Sequence, residues 1–326
     1  MLDSRYYEAA HAIPYYQDDH INIWKFPTKA KKRQEKPIIL NYSIMTRAYG
    51  CVSNRDSFVE YFNHEGFDVY LMDWGKDTLF TLSGWSVDDI CDTLRDKAVL
   101  PLLEEYKTDS LNIFGICIGG MLAAHMINKN TQLDKNFAKK FNKVAFYGSP
   151  ILGARDLGIA KTFLNFYKQM KPFRKTMHDS GISLFTLDAY LMQGISKSLL
   201  EWSWEQFAAE GQTTLTEMVQ LTMDDRWVPF SAFMDLLEEA FEKTQSEDGQ
   251  GFHFKCNVKN IHFYNMVGDS DVLVMPSASI VEYGSTVPQQ FASFEQDIFV
   301  GGHFIFAQPG FQKEKKRLAA LSLIHI

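Results

Sequence analysis

The segment Gly115-Ile116-Cys117-Ile118-Gly119-Gly120 sets one cysteine among three glycines within six residues. Before it, Ser110-Leu111-Asn112-Ile113-Phe114 reads as a short buried strand, and after it Met121-Leu122-Ala123-Ala124-His125-Met126 reads as a helix. A strand, a sharp turn carrying a nucleophile, and a helix together expose a side chain for covalent chemistry. The glycines relieve crowding where the chain turns steeply and the helix packs on neighbouring strands. The sulfur stands at a helix N-terminus, whose partial positive charge favours a thiolate. The chemistry this predicts is acyl transfer through a thioester on Cys117. A small core cysteine beside a tight turn is the competing reading, because free cysteine is often buried and inert.

Enzymes built on such an elbow present nucleophile, acid and base in that chain order, each at the end of a later strand. Ile261 to Val267 reads as a strand that leads into Gly268-Asp269-Ser270-Asp271, with Asp271 the expected acid and Asp269 the fallback. Gln296 to Val300 reads as another, ending in Gly301-Gly302-His303, and His303 is the expected base. Taken alone, an aspartate after a strand is more often a turn residue, and a lone histidine is more often structural. Three such residues in order at three strand ends point to a triad. The backbone N–H of Ile118 is the expected oxyanion donor, joined by a second from the loop near Ser43 to Met45.

Holding these residues requires a sheet. Strands are expected at Pro37 to Tyr42, Phe67 to Met72, Leu111 to Phe114, Lys143 to Tyr147, Ile261 to Val267 and Gln296 to Val300. Helices are expected at Arg55 to His64, Ser86 to Tyr106 and Gly119 to Asn128. This alternation predicts an α/β protein of the α/β-hydrolase type, a mostly parallel sheet with helices on both faces. From Pro150 to about Asn257 the alternation stops, and aromatic residues such as Phe163, Phe166, Phe173, Trp202, Trp204 and Trp227 accumulate. That stretch reads as an inserted helical cap whose aromatics are mostly core, with some lining a tunnel. The expected organisation is an N-terminal segment 1–36, core 37–150, cap 151–257, core 258–320, and a foreign or truncated tail 321–326. Lys161, Lys168, Lys171, Arg174 and Lys175 read as a solvated helix face rather than a coenzyme A entry, and Asp73-Trp74-Gly75 as architectural.

At these residues the chain resembles the polyhydroxyalkanoate synthases, closest to the short catalytic subunits of classes III and IV. The likeness runs from about Pro37 to the early 300s. It rests on Val69-Tyr70-Leu71-Met72-Asp73-Trp74-Gly75, the Gly-x-Cys-x-Gly-Gly box, Arg226-Trp227-Val228-Pro229-Phe230, Asp271-Val272-Leu273-Val274 and Gly302-His303. The resemblance implies Cys117 as nucleophile, Asp271 as acid and His303 as base. It also implies polymerisation of (R)-3-hydroxyacyl-coenzyme A with release of coenzyme A, a second synthase subunit, a homodimer, and a cytoplasmic protein at the surface of polyester granules. Three positions depart from the family pattern: Val272 where histidine is usual, Met275 where proline is usual, and Ala48 within Arg47-Ala48-Tyr49 where the family has Arg-Pro-Tyr. Two other functions fit the same residues, a cysteine thioesterase or single-turn acyltransferase, and a silent paralogue that binds granules or a synthase subunit.

Composition agrees with this reading. The chain has 326 residues, 46% hydrophobic and 22% charged, enough to bury a large core in one elaborated domain. A net charge of -7 argues against nucleic acid as the main partner. Cys51, Cys91, Cys117 and Cys256 lie far apart without zinc-ligand spacing, so no metal, disulfide framework or cofactor is expected beyond the thioester substrate. No stretch of about 18 apolar residues predicts a transmembrane helix.

Overall fold

The computed structural model describes residues 10–44, 48–52, 57–74, 85–152 and 256–302, except 272, 273 and 283, together with Tyr7, Phe254 and scattered positions between 165 and 180. The strands are β1 (Ile13–Gln17), β2 (Ile21–Phe26), β3 (Ile38–Asn41), β4 (Val69–Trp74), β5 (Leu111–Ile116), β6 (Phe141–Tyr147), β7 (Val258–Gly268) and β8 (Phe291–Phe299). They form one sheet in the order β1-β2-β4-β3-β5-β6-β7-β8. From β4 across to β8 all neighbours are parallel. Every residue of β3, β4 and β5 is buried, as expected of parallel strands covered on both faces.

The first two strands are an addition to the expected set. Asp18 makes their turn, its Oδ1 accepting from the N–H groups of His20 (2.7 Å) and Ile21 (2.9 Å). That is an Asx turn between two apolar runs, a signal present in the sequence. β2 then pairs antiparallel with β4, from Ile21 opposite Trp74 to Phe26 opposite Val69. Residues 13–26 therefore lie within the same sheet as the core strands.

Helices cover the two faces. On one, α1 (Phe58–His64) is capped by Ser57, whose hydroxyl accepts from the Glu60 N–H, and buries Phe58, Val59 and Phe62. These pack with Leu40, Leu71, Phe114 and Tyr147. On the other lie α2 (Val87–Leu94), α3 (Leu100–Glu105) and α4 (Ile118–Leu133), packed with Ile39, Tyr70, Ile113, Val144 and Phe146. Ser86 begins α2 with a reciprocal capping box to Asp89. The single helix expected from Ser86 to Tyr106 is interrupted by a π-helical turn, Arg95–Val99. Pro101 explains the interruption: it lacks an N–H, its ring crowds the carbonyl four residues back, and the widened turn just ahead makes room.

Helix α4 runs five residues past its expected end at Asn128. Asn128, Asn130 and Thr131 in its C-terminal part are buried: the Asn130 Nδ2 donates to the Met126 carbonyl (2.8 Å), and the Asn130 Oδ1 accepts from Arg95 (2.7 Å). Lys129 joins Asp88 (3.2 Å) and Asp92 (3.0 Å) across the α2–α4 contact. Burial alone raises the Asp88 carboxyl, but Lys129 and His125 together hold it below the ordinary range. The stretch expected to be a cap lies mostly outside the described residues. Phe173, grouped with its core aromatics, is 53% exposed. Lys168 is exposed, as on a solvated face.

Candidate active site

Because the central strands are parallel, their C-terminal ends share one side of the sheet, where β5 hands over to α4. Cys117 sits at that junction with φ 54° and ψ -124°, a backbone pair that L-residues avoid. Holding such a residue costs about 1–3 kcal/mol, sustained only where the surroundings over-determine it. Three hydrogen bonds do so. The Cys117 N–H donates to the Tyr147 carbonyl (2.8 Å), while its own carbonyl accepts from the Gly120 N–H (3.0 Å) and the Ser149 hydroxyl (2.8 Å).

The spacing of small residues follows from the same crowding. A Cβ on Gly119 would lie 2.0 Å from the Asn41 carbonyl oxygen, and one on Gly115 would lie 2.4 Å from the Gly120 Cα. Fully buried Asn41 fastens the other side: its Nδ2 donates to the Gly119 carbonyl (2.8 Å) and its Oδ1 accepts from the Trp74 indole (3.3 Å). Trp74 is thus a strut of the elbow. Cys117 itself is partly exposed, whereas Cys51 and Cys91 are buried. Burial, with Asp73 nearby, pushes the Cys51 thiol well up. Burial also raises the Cys256 thiol.

Ile118 is the first residue of α4, where N–H groups lack partners inside the helix. Ser43 and Ile44 follow β3 and are buried. Met45 lies outside the described residues. The Ala48 N–H donates to the Asp73 carboxylate at 3.4 Å, a bond that a proline at this position could not make.

Asp271 follows β7 and is 1% exposed, its Oδ1 accepting from the Val274 N–H at 2.8 Å. Asp269 is used differently. Its Oδ1 accepts from the Gly301 N–H (2.9 Å) and the Ser270 hydroxyl (2.7 Å), and the Ser270 N–H donates to the Gly301 carbonyl (3.0 Å). Asp269 therefore fastens the loop after β7 to the loop after β8. Gly302 is further held by the Tyr147 hydroxyl at 3.4 Å. His303, Val272 and the Arg226 to Phe230 motif lie outside the described residues. Cys117, Asp271 and the two glycines preceding His303 thus occupy the same end of the sheet, after β5, β7 and β8. Asn41, Ser149 and Asp269's fastening role were not foreseen from the sequence.

Among the described residues no group of three or more His, Cys, Asp or Glu could hold a metal ion, and no helix is long and apolar enough to cross a membrane.

This strand order, with an elbow after the fifth strand and a buried carboxylate after the seventh, is that of the α/β-hydrolase fold. Solved structures of that fold cover nearly the whole chain. Bacillus megaterium epoxide hydrolase in complex with an inhibitor aligns over 94% of this chain and 99% of its own, with TM-score 0.57 and 11% identity. A highly thermostable carboxyl esterase from Bacillus coagulans aligns over 95% and 96%, with TM-score 0.56 and 13% identity. In sequence the chain is similar to proteins named poly(3-hydroxyalkanoate) polymerase subunit PhaC. That of Haloferax mediterranei is 29% identical over 116 residues, 33% of this chain and 22% of its own. That of Thiocystis violacea is 29% identical over 137 residues, 40% of this chain and 37% of its own. That of Allochromatium vinosum is 31% identical over 112 residues, 32% of this chain and 30% of its own. The chain thus spans well under half the length of these curated relatives. No protein-family model matches it. The protein has the α/β-hydrolase fold, and about a third of its sequence is similar to PhaC subunits.

Proposed function

We propose that this chain polymerises (R)-3-hydroxyacyl-coenzyme A into polyester with release of coenzyme A. The observation that carries the reading is a cysteine, not a serine, held at φ 54° on the elbow of a PhaC-like chain. In the proposed cycle His303, oriented by buried Asp271, takes the proton of the Cys117 thiol. The thiolate attacks the thioester carbonyl, a carbon–sulfur bond to Cys117 forms, and the bond to coenzyme A breaks. Coenzyme A leaves as the thiol with the proton that His303 returns. One thioester replaces another, so the acyl group keeps its driving force. The hydroxyl of a second hydroxyacyl unit or of the growing chain then attacks, giving an ester and freeing Cys117. The Ile118 N–H faces the developing oxyanion in this scheme, with a second donor from Ser43 to Met45. Either His303 or Asp271 activates the attacking hydroxyl. Asp271 is preferred to Asp269 as the acid because it is buried, whereas the exposed Asp269 ties the loop after β7 to the loop after β8.

The same reading gives the chain a second synthase subunit, a homodimeric assembly and a cytoplasmic place at the granule surface. The test is coenzyme A release from 3-hydroxybutyryl-coenzyme A, alone and with a class III or IV partner subunit, with mass analysis of the product. Insoluble polyester that vanishes in Cys117→Ala supports the proposal. Free hydroxy acid instead of polymer, or no release under either condition, overturns it.

A further inference from the structure

We infer that Ser149 and Ser279 are positioning residues that lock the nucleophile's strained turn to the segment following the acid. The inference deepens the proposed function and rests on it for the identity of the reaction. The Ser149 hydroxyl donates to the carbonyl of Cys117 at 2.8 Å. The Ser149 carbonyl in turn accepts from the Ser279 hydroxyl at 2.7 Å, and the Ser279 carbonyl accepts from the Asn265 Nδ2 at 2.7 Å. Ser149, Ser279 and Asn265 are each 0% exposed. The chain of bonds ends on Gln296 of β8, whose Oε1 accepts from Asn265 (3.0 Å) and from the Val281 N–H (2.8 Å).

Its path explains its purpose. Ser279 belongs to the short helix α5 (Pro276–Ser279), a few residues beyond Val274, whose N–H is held by the Asp271 carboxylate. The Leu152 N–H donates to the Ala278 carbonyl (2.9 Å), a second tie between the same two segments. One bracket therefore spans from the backbone of Cys117 to the segment that carries Asp271. Without the Ser149 hydroxyl, Cys117 loses one of the three bonds that keep it out of ordinary backbone space, and its turn relaxes. The sulfur then leaves the place that the elbow gives it at the start of α4. Gly120 is part of the design, since a Cβ there would lie 2.2 Å from the Ser149 Oγ.

The test uses the full chain and two readouts. Alkylation of Cys117 by iodoacetamide, located by peptide mass and followed across the neutral pH range, reports the sulfur without reference to any substrate. Coenzyme A release from 3-hydroxybutyryl-coenzyme A gives kcat and KM. Ser149→Ala should slow alkylation and lower kcat by about tenfold, the scale of one lost hydrogen bond, with KM within about twofold. Ser279→Ala should act in the same direction, and the double variant should lose no more than about the larger single loss, because the two hydroxyls act in series. If Ser149→Ala does not fold, Ser279→Ala carries the same test. Unchanged alkylation in a folded variant with a lower melting temperature overturns the inference, since the serines then support the fold alone. Slower alkylation in variants of a wild-type chain that releases no coenzyme A keeps the bracket and discards the reaction.

Discussion

Cys117 carries backbone strain at the elbow. Its φ of 54° is one glycine adopts without strain, so Cys117→Gly should stabilise the fold. Relief of about 1–3 kcal/mol, less about 0.5–1 kcal/mol for glycine's looser unfolded chain, leaves a gain of about 1 kcal/mol. Cys117→Ala keeps the strain and should show no such gain. Denaturant midpoints of the two variants decide it, and a glycine variant no more stable than the alanine one contradicts the strain argument. Gly119→Ala runs the other way, since its Cβ meets the Asn41 backbone at 2.0 Å. A loss of about 3 kcal/mol is expected, and a variant with wild-type unfolding would mean that the helix can shift off β3. Cys117 and Asp271 are legible in the sequence because their spacing follows the order of strand ends. Asn41 and Ser149 are not, because each matters through a partner 78 or 32 positions away, and nothing local marks them.

Elements show the same divide. The parallel strands are legible, most clearly β3, β4 and β5, because fully buried strands appear as short apolar runs between turns. The hairpin of β1 and β2 has an equally clear turn at Asp18, but its strands carry tyrosines, Pro14 and Lys25 among their apolar residues, which blurs the period. A polar clasp adds to the pairing of the hairpin with β4. Lys25 bonds Glu105 at 2.8 Å, and Glu105 also accepts from the Tyr70 hydroxyl at 3.2 Å. Burial raises the Glu105 carboxyl, but Lys25, Tyr15 and Tyr70 outweigh it and hold it below the ordinary range. A carboxyl lowered by folding contributes stability that is complete at neutral pH and is lost as pH falls through and below the usual carboxylate range. Glu105→Gln should therefore remove part of the acid sensitivity of hairpin amide exchange. Equal slopes with pH in wild type and variant would show that the clasp is idle. Because this pair is partly exposed, the effect is expected to be small and to fade in salt.

At the scale of the whole molecule, β2 closes the otherwise open flank of β4. It buries Ile21, Ile23, Trp24 and Phe26, each at most 6% exposed. A chain beginning after Phe26 should therefore lose cooperative unfolding and aggregate through the freed β4 edge. Retention of a single sharp thermal transition by that truncated chain would show that the sheet stands without its hairpin.

The sheet also contains a long detour. β6 and β7 are parallel neighbours, yet the chain leaves one at Tyr147 and rejoins the other at Val258. Both departures are fastened locally, by Leu152 to Ala278 at the exit and by Phe254 against Phe146 and Phe291 at the return. Closing a loop grows dearer only with the logarithm of its length, by about 0.6 kcal/mol for each doubling. The length of chain between these two anchors can therefore differ greatly at little entropic cost to the sheet, while the elbow and its bracket stay as they are.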